Sequence, residues 1–172
     1  MPALAESPAN ARFPAEWSLR VLLADPHSQL ARIHGLWTAA AAAGARHLPP
    51  IGCLGPVQLK PILPDVHVYD VRQEPPRYSF RLIGTRVTEH MGMNLTGKPV
   101  EAIPSDALRT VVGEILNAVS TRCTTIHIKA PRAVALPNGS HRSLESLWMP
   151  LGDDGETVTR ILAISLLGEP IL

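Results

Sequence analysis

Tyr78 to Lys98 reads YSFRLIGTRVTEHMGMNLTGK. It opens by alternation over Arg77–Ile83, with Tyr78, Phe80 and Leu82 on one side and Arg77, Ser79 and Arg81 on the other, the pattern of a half-buried strand. Gly84-Thr85 turns the chain, a short helical piece runs from Thr85 to Met91, and the stretch closes on Gly92-x-x-Leu95-Thr96-Gly97-Lys98. No residue in it is an obvious nucleophile or a convincing metal ligand. The unit is therefore read for shape: a strand, a glycine corner, a helix and a glycine-bounded turn.

On its N-terminal side the period is again two. Val66, Val68 and Asp70 face one way, His67, Tyr69 and Val71 the other, and Pro75-Pro76 turns the chain into the strand above. Further upstream, Asp25-Pro26 is a helix start, with Asp25 as the cap. Leu30, Ile33, His34, Trp37 and Ala41 form one face of that helix, and Gly44 ends it. Pro56 to Leu63 reads as a short helix stopped before Pro64. Residues 1–25 carry prolines with little periodicity and are expected to be a mobile leader that clasps the domain through Phe13, Trp17 and Leu19.

Downstream, a second long helix starts at Ser105-Asp106 after Pro104, with a broad apolar stripe of Leu108, Val111, Val112, Ile115, Leu116 and Val119. Three strands follow. Cys123 to Ala130 places Ile126 and Ile128 on one face, and Asn138-Gly139 is a hairpin signal leading to Ser140–Met149. After Asp153-Asp154-Gly155, the run Val158 to Leu167 is apolar on both faces, which places it in the middle of a sheet covered on each side. The expected fold class is α+β: a five-stranded antiparallel sheet with helices on one face and an N-terminal helix on or near the other. The expected division is the leader at 1–25, the N-terminal helix at 26–47, the core at 48–168 and a tail at 169–172.

Composition narrows the function classes. With 172 residues the chain suits one domain that buries roughly 70% of its unfolded surface. A net charge of +1 offers no basic excess for a nucleic-acid backbone and no polybasic run for a membrane surface. Aromatics at 4% argue against stacking platforms for single strands. Two cysteines make no disulfide framework; Cys53 and Cys123 are expected as small, reduced, buried hydrophobes. The N-terminus lacks a basic region followed by an apolar run, and no segment reaches the length of a membrane span, so the chain is expected in the cytoplasm.

The order of these elements, with Leu36-Trp37, Leu63-Pro64 to Val71, Tyr78 to Gly84-Thr85 and Gly92-x-x-Leu95-Thr96-Gly97-Lys98 at the junctions, resembles the PAS sensor domain. It is most similar to the short PAS-type proteins found as stand-alone chains mainly in alphaproteobacteria, over residues 27 to 167. The resemblance implies a sheet with its first and last strands central, a role in signal transduction, and no catalytic activity. No segment reads as a histidine-kinase dimerisation helix, a cyclase or a DNA-binding helix pair. A protein of this kind is expected to signal by docking onto a protein partner, and a homodimer through Leu30, Ile33 and Trp37 is the candidate assembly.

Candidate chemistry is sparse. Gly92 to Lys98 is one residue from a phosphate-binding loop, but Pro99 stands where a hydroxyl must ligate magnesium. No His/Cys cluster has zinc spacing, so no metal site is expected. Some PAS sensors ligate haem through one helical histidine; His90 lies in that general region, whereas the helix from Ser105 to Thr121 has none. Cys53 does not match the cysteine motif of flavin photosensors. Arg81 is read either as an anchor for a ligand carboxylate or as an ion-pair partner of Asp70 or Glu89. The candidate pocket joins Tyr78, Phe80, Arg81 and Leu82 to Leu108, Val111, Ile115 and Val119, with Ile126 and Ile128 closing the far side; the same residues also suit a filled core in a purely structural adaptor. A small cone-fold enzyme acting on hydroxylated rings is the rival, and it would need Asp70 or His127 as a buried base.

Overall fold

The computed structural model describes residue 25 and residues 27–43, 48–73, 75, 77–135 and 141–171, the last few of β3 by backbone alone. The leader, Gly44 and the Asn138-Gly139 turn lie outside the described residues. In chain order the elements are α1 (Gln29–Ala43), α2 (Pro56–Leu59), β1 (Val66–Arg72), β2 (Arg77–Ile83), α3 (Thr85–Met91), α4 (Asp106–Arg122), β3 (Ile126–Ala135), β4 (His141–Leu151) and β5 (Arg160–Ile171). Short 3₁₀ turns at Ile51–Cys53, Lys60–Asp65 and Val100–Ala102 join them.

The five strands form one antiparallel sheet in the order β2-β1-β5-β4-β3. β5 is central and buried on both faces, as its doubly apolar sequence requires: Ile161 and Ala163 join the α4 side, Leu162 and Ile164 the α1 side. The edges are β2 and β3. β5 continues to Ile171, so the expected tail extends the sheet. On one face α1 lays Leu30 and Ile33 onto Val66, Leu147, Met149 and Ile164. On the other, α4 lays Val112, Ile115, Leu116 and Val119 over Tyr69, Phe80, Trp148 and Ile161.

Local chemistry sets the helix ends. Ser28, not Asp25, caps α1: its Oγ accepts from Ala31 N at 3.1 Å, while Asp25 accepts from His27 N at 3.2 Å. Both are good caps, and the apolar stripe decides which residue stands one position before the first helical turn. Ser105 caps α4 by accepting from Leu108 N at 3.3 Å. Cys123 closes α4 in the left-handed region at φ 50°, and it is exposed. It neither starts a strand nor packs in a core as expected, because three residues are needed to turn from α4 into β3 at Ile126.

The corner at Gly84 is steric. Its N–H donates to Val66 O at 2.6 Å, and a Cβ there would sit 2.3 Å from Pro64 O. The Gly92–Lys98 turn covers the free edge of β2: Gly97 N–H donates to Phe80 O at 2.6 Å, Phe80 N–H to Lys98 O at 2.9 Å, and Pro99 bridges Ser79. Gly92 and Gly97 take φ of 68° and 79°, where an L side chain is disfavoured. The amides of Thr96, Gly97 and Lys98, which a phosphate loop would turn toward a ligand, are bonded to the protein.

One register shift alters the expected β2 face. Val68 pairs with Leu82 but Tyr69 pairs with Phe80, so Arg81 is an extra residue in a bulge. Leu82 is thereby turned to the α1 side beside Val68 and is 45% exposed, while Ile83 packs against the α4 core.

Candidate ligand cavity

Between α3, α4 and the sheet lies a cavity of about 570 Å³. Its roof is Val87, His90 and Met91 of α3 with Ala107, Leu108, Val111, Val112 and Ile115 of α4. Phe80, Ile103, Ile128, Ala130, Leu144 and Leu167 form apolar walls. The volume and the apolar surround match ordinary small-molecule sites.

The floor is polar and belongs to the sheet. His67 Nδ1 and the Tyr69 hydroxyl are 2.9 Å apart, and His67 Nε2 lies 2.9 Å from Ser165 Oγ. On the next strand the Trp148 indole N–H donates to Ser146 Oγ at 3.0 Å. Ser146 and Ser165 are directly opposed across β4 and β5, so their side chains share the cavity face. Aromatic contacts hold the floor: Tyr69 lies 4.8 Å from Phe80 and 5.6 Å from Trp148, and His67 lies 5.2 Å from Trp148. Burial holds the His67 imidazole neutral, lowering its pKa from 6.5 to about 3, and pushes the Tyr69 phenol well above its ordinary value.

At the solvent side Arg86 pairs with the buried carboxylate of Asp65, whose other oxygen has no partner among the described residues. His90 is exposed and makes no hydrogen bond among the described residues; partial burial, then the charge of Arg142, holds its pKa below the ordinary value.

Of the candidate pocket residues, Phe80, Leu108, Val111, Ile115 and Ile128 line the cavity. Tyr78, Val119 and Ile126 fill the core beside it, with the Tyr78 hydroxyl 2.9 Å from Ser120 Oγ. Leu82 lies outside it because of the bulge, and Arg81 because it points away from Phe80. Arg81 instead pairs with Asp70 at 3.5 Å, and Arg160 reaches the same carboxylate at 3.1 Å, so the ion-pair alternative describes its place. Asp70 and His127, the bases a ring-transforming enzyme would use, both sit on the α1 face; His127 Nε2 meets Glu145 at 2.9 Å. No group of three or more potential metal ligands occurs among the described residues.

The floor residues His67, Tyr69, Ser146, Trp148 and Ser165 were missed from sequence. Their signal was present in part: His67 and Tyr69 share an alternation face with Val71, and Ser165 is the polar residue in an otherwise apolar run.

The stripe expected to face a second copy packs, for Leu30 and Ile33, within the chain itself. Leu30 is 1% and Ile33 0% exposed, both against the sheet of the same chain, and the Trp37 indole donates to Pro150 O at 2.9 Å. An amphipathic stripe does not say which apolar surface will cover it, and here the sheet does.

A family model described as a PAS domain matches residues 25–166. The chain belongs to the PAS domain family. As a class PAS domains are sensory modules of signal transduction that work through protein contacts, and they are not generally catalytic. Among the solved structures similar to this PAS domain is the crystal structure of a sensory box histidine kinase/response regulator from Burkholderia thailandensis E264. That match has 16% identity and a TM-score of 0.37, covering 66% of this chain and 84% of the other. No curated protein matches the chain. Among the described residues no helix is long and apolar enough to cross a membrane.

Proposed function

We propose that this PAS domain is a sensor that admits a small, mostly apolar ligand to the cavity under α3 and α4 and reports its occupancy through contact with a protein partner. The cavity itself carries the reading: about 570 Å³ of space walled by apolar side chains over a polar floor of hydrogen-bonded side chains. A filled-core adaptor would have no use for that space. The apolar walls supply affinity, and the floor limits which polar group the ligand can bring.

Native mass spectrometry of protein purified under mild conditions, with thermal shift over a library of neutral aromatic and aliphatic compounds, tests this. A bound mass or a ligand-dependent shift is expected. Val111→Trp, which fills the space from α4, is expected to remove the shift while leaving the far-ultraviolet circular dichroism unchanged. An unliganded mass together with no shift across the library would sink the proposal in favour of the adaptor. A Soret band lost in His90→Ala would instead identify the occupant as haem.

A further inference from the structure

We infer that the sheet floor of the cavity selects a neutral ligand bearing a carbonyl-type hydrogen-bond acceptor, held between the hydroxyl groups of Ser146 and Ser165. This rests on the reading of the cavity as a ligand site and follows from counting protons. Tyr69, His67 and Ser165 form a chain of three groups. A neutral imidazole carries one N–H, so the chain holds three donor hydrogens and has two internal bonds to place them in. One hydrogen is left over whichever ring nitrogen is protonated. With Nε2–H toward Ser165, the spare proton is on the Ser165 hydroxyl; with the other tautomer it is on Tyr69. The first arrangement gives the buried phenol an acceptor and leaves the spare hydrogen on Ser165, which like Tyr69 lines the cavity but is less buried.

Ser146 reaches the same state independently. An indole N–H can only donate, so Ser146 Oγ accepts from Trp148 and its own proton is uncommitted. Ser146 is 1% exposed, and among the described residues neither serine has a further partner. Two opposed strand residues therefore present two uncommitted O–H donors to a space whose walls are mostly apolar. An oxygen with two lone pairs and no proton of its own satisfies both.

The floor itself offers an anion no counter-charge, and His90 of the roof is exposed and held toward its neutral form. Arg86, the arginine among the cavity residues, is engaged by Asp65, and the imidazole of the floor is uncharged. A carboxylate seated there would be buried without a counter-charge. The ligand class is thus a ketone, aldehyde, quinone, ester or amide on an apolar body.

The test uses three molecules of nearly one shape: acetylnaphthalene, isopropylnaphthalene and naphthoate, titrated by naphthyl fluorescence into the full chain. The ketone is expected to bind roughly tenfold tighter than the hydrocarbon, the worth of about one to two net hydrogen bonds. Naphthoate is expected to bind weakest of the three. The carbonyl stretch of the bound ketone should move to lower frequency than in a hydrocarbon solvent. Ser146→Cys with Ser165→Cys, which replaces strong donors by weak ones of similar shape, should bring ketone and hydrocarbon to within about twofold. Because the three-ligand comparison uses the unaltered protein, it stands even if that variant folds poorly. Equal binding of ketone and hydrocarbon to the unaltered protein overturns the inference while leaving the cavity reading intact. Preference for naphthoate overturns it in favour of an anion site at Arg86. Binding of none of the three overturns the inference, and together with an unliganded mass and no shift across the library it removes the cavity reading as well.

Discussion

His67 is a histidine whose burial leaves it no room to charge. Its pKa falls from 6.5 to about 3, so between those values the unfolded chain holds a proton that the folded chain lacks. Stability is therefore lost as pH drops through that window, by at most about 1.4 kcal/mol per pH unit from this group. His67→Gln, which cannot titrate, is expected to show a shallower decline in chemical-denaturation stability between about pH 7 and about pH 5. An equal slope in both proteins would mean that His67 is not the group responsible. Two glycines make a second comparison. A Cβ at Gly84 meets the Pro64 carbonyl, whereas one at Gly35, within α1, meets nothing within 4 Å. Gly84→Ala should cost more than about 2 kcal/mol, as overpacking against backbone does, while Gly35→Ala should gain about 0.5–1 kcal/mol of helix stability. Equilibrium denaturation of the two variants, with opposite signs of change, checks this.

At the scale of elements, α1 behaves as a layer of the domain. Leu30 and Ile33 are covered by β1, β4 and β5, and the indole of Trp37 reaches the end of β4. Ile33→Ala should lower stability by about 2–5 kcal/mol, the cost of a cavity in a packed interior. Analytical ultracentrifugation of that variant and the parent should give the same molar mass. A parent dimer converted to a monomer by Ile33→Ala would place this residue in an interface after all. The bulge at Arg81 is the element-level feature that alternation could not supply. The sequence reads Tyr78, Phe80 and Leu82 as one face, and it is right up to Phe80. The extra residue then turns Leu82 outward, and Arg81, on the side of Ser79, pairs with Asp70, where two arginines hold one carboxylate at the corner.

At the scale of the whole molecule, the cavity is a meeting of distant strands. His67 and Ser165 are 98 residues apart in the chain and 2.9 Å apart in space. The amino-acid order by itself determined the things that local forces decide. These are the strand alternation over Val66–Val71, the serine cap of α4, the glycine corner at Gly84 and the central place of β5, whose two apolar faces allow no other position. Even the α4 wall of the cavity was legible, because Leu108, Val111 and Ile115 recur at helical spacing. Only the tertiary structure decided which strand residues lie opposite one another. Register depends on pairings between segments far apart in sequence, and a shift of one residue exchanges every side chain between faces. That is why Ser146 and Ser165 became neighbours on the cavity floor, why Leu82 left it, and why Leu30 and Ile33 of α1 met their own sheet.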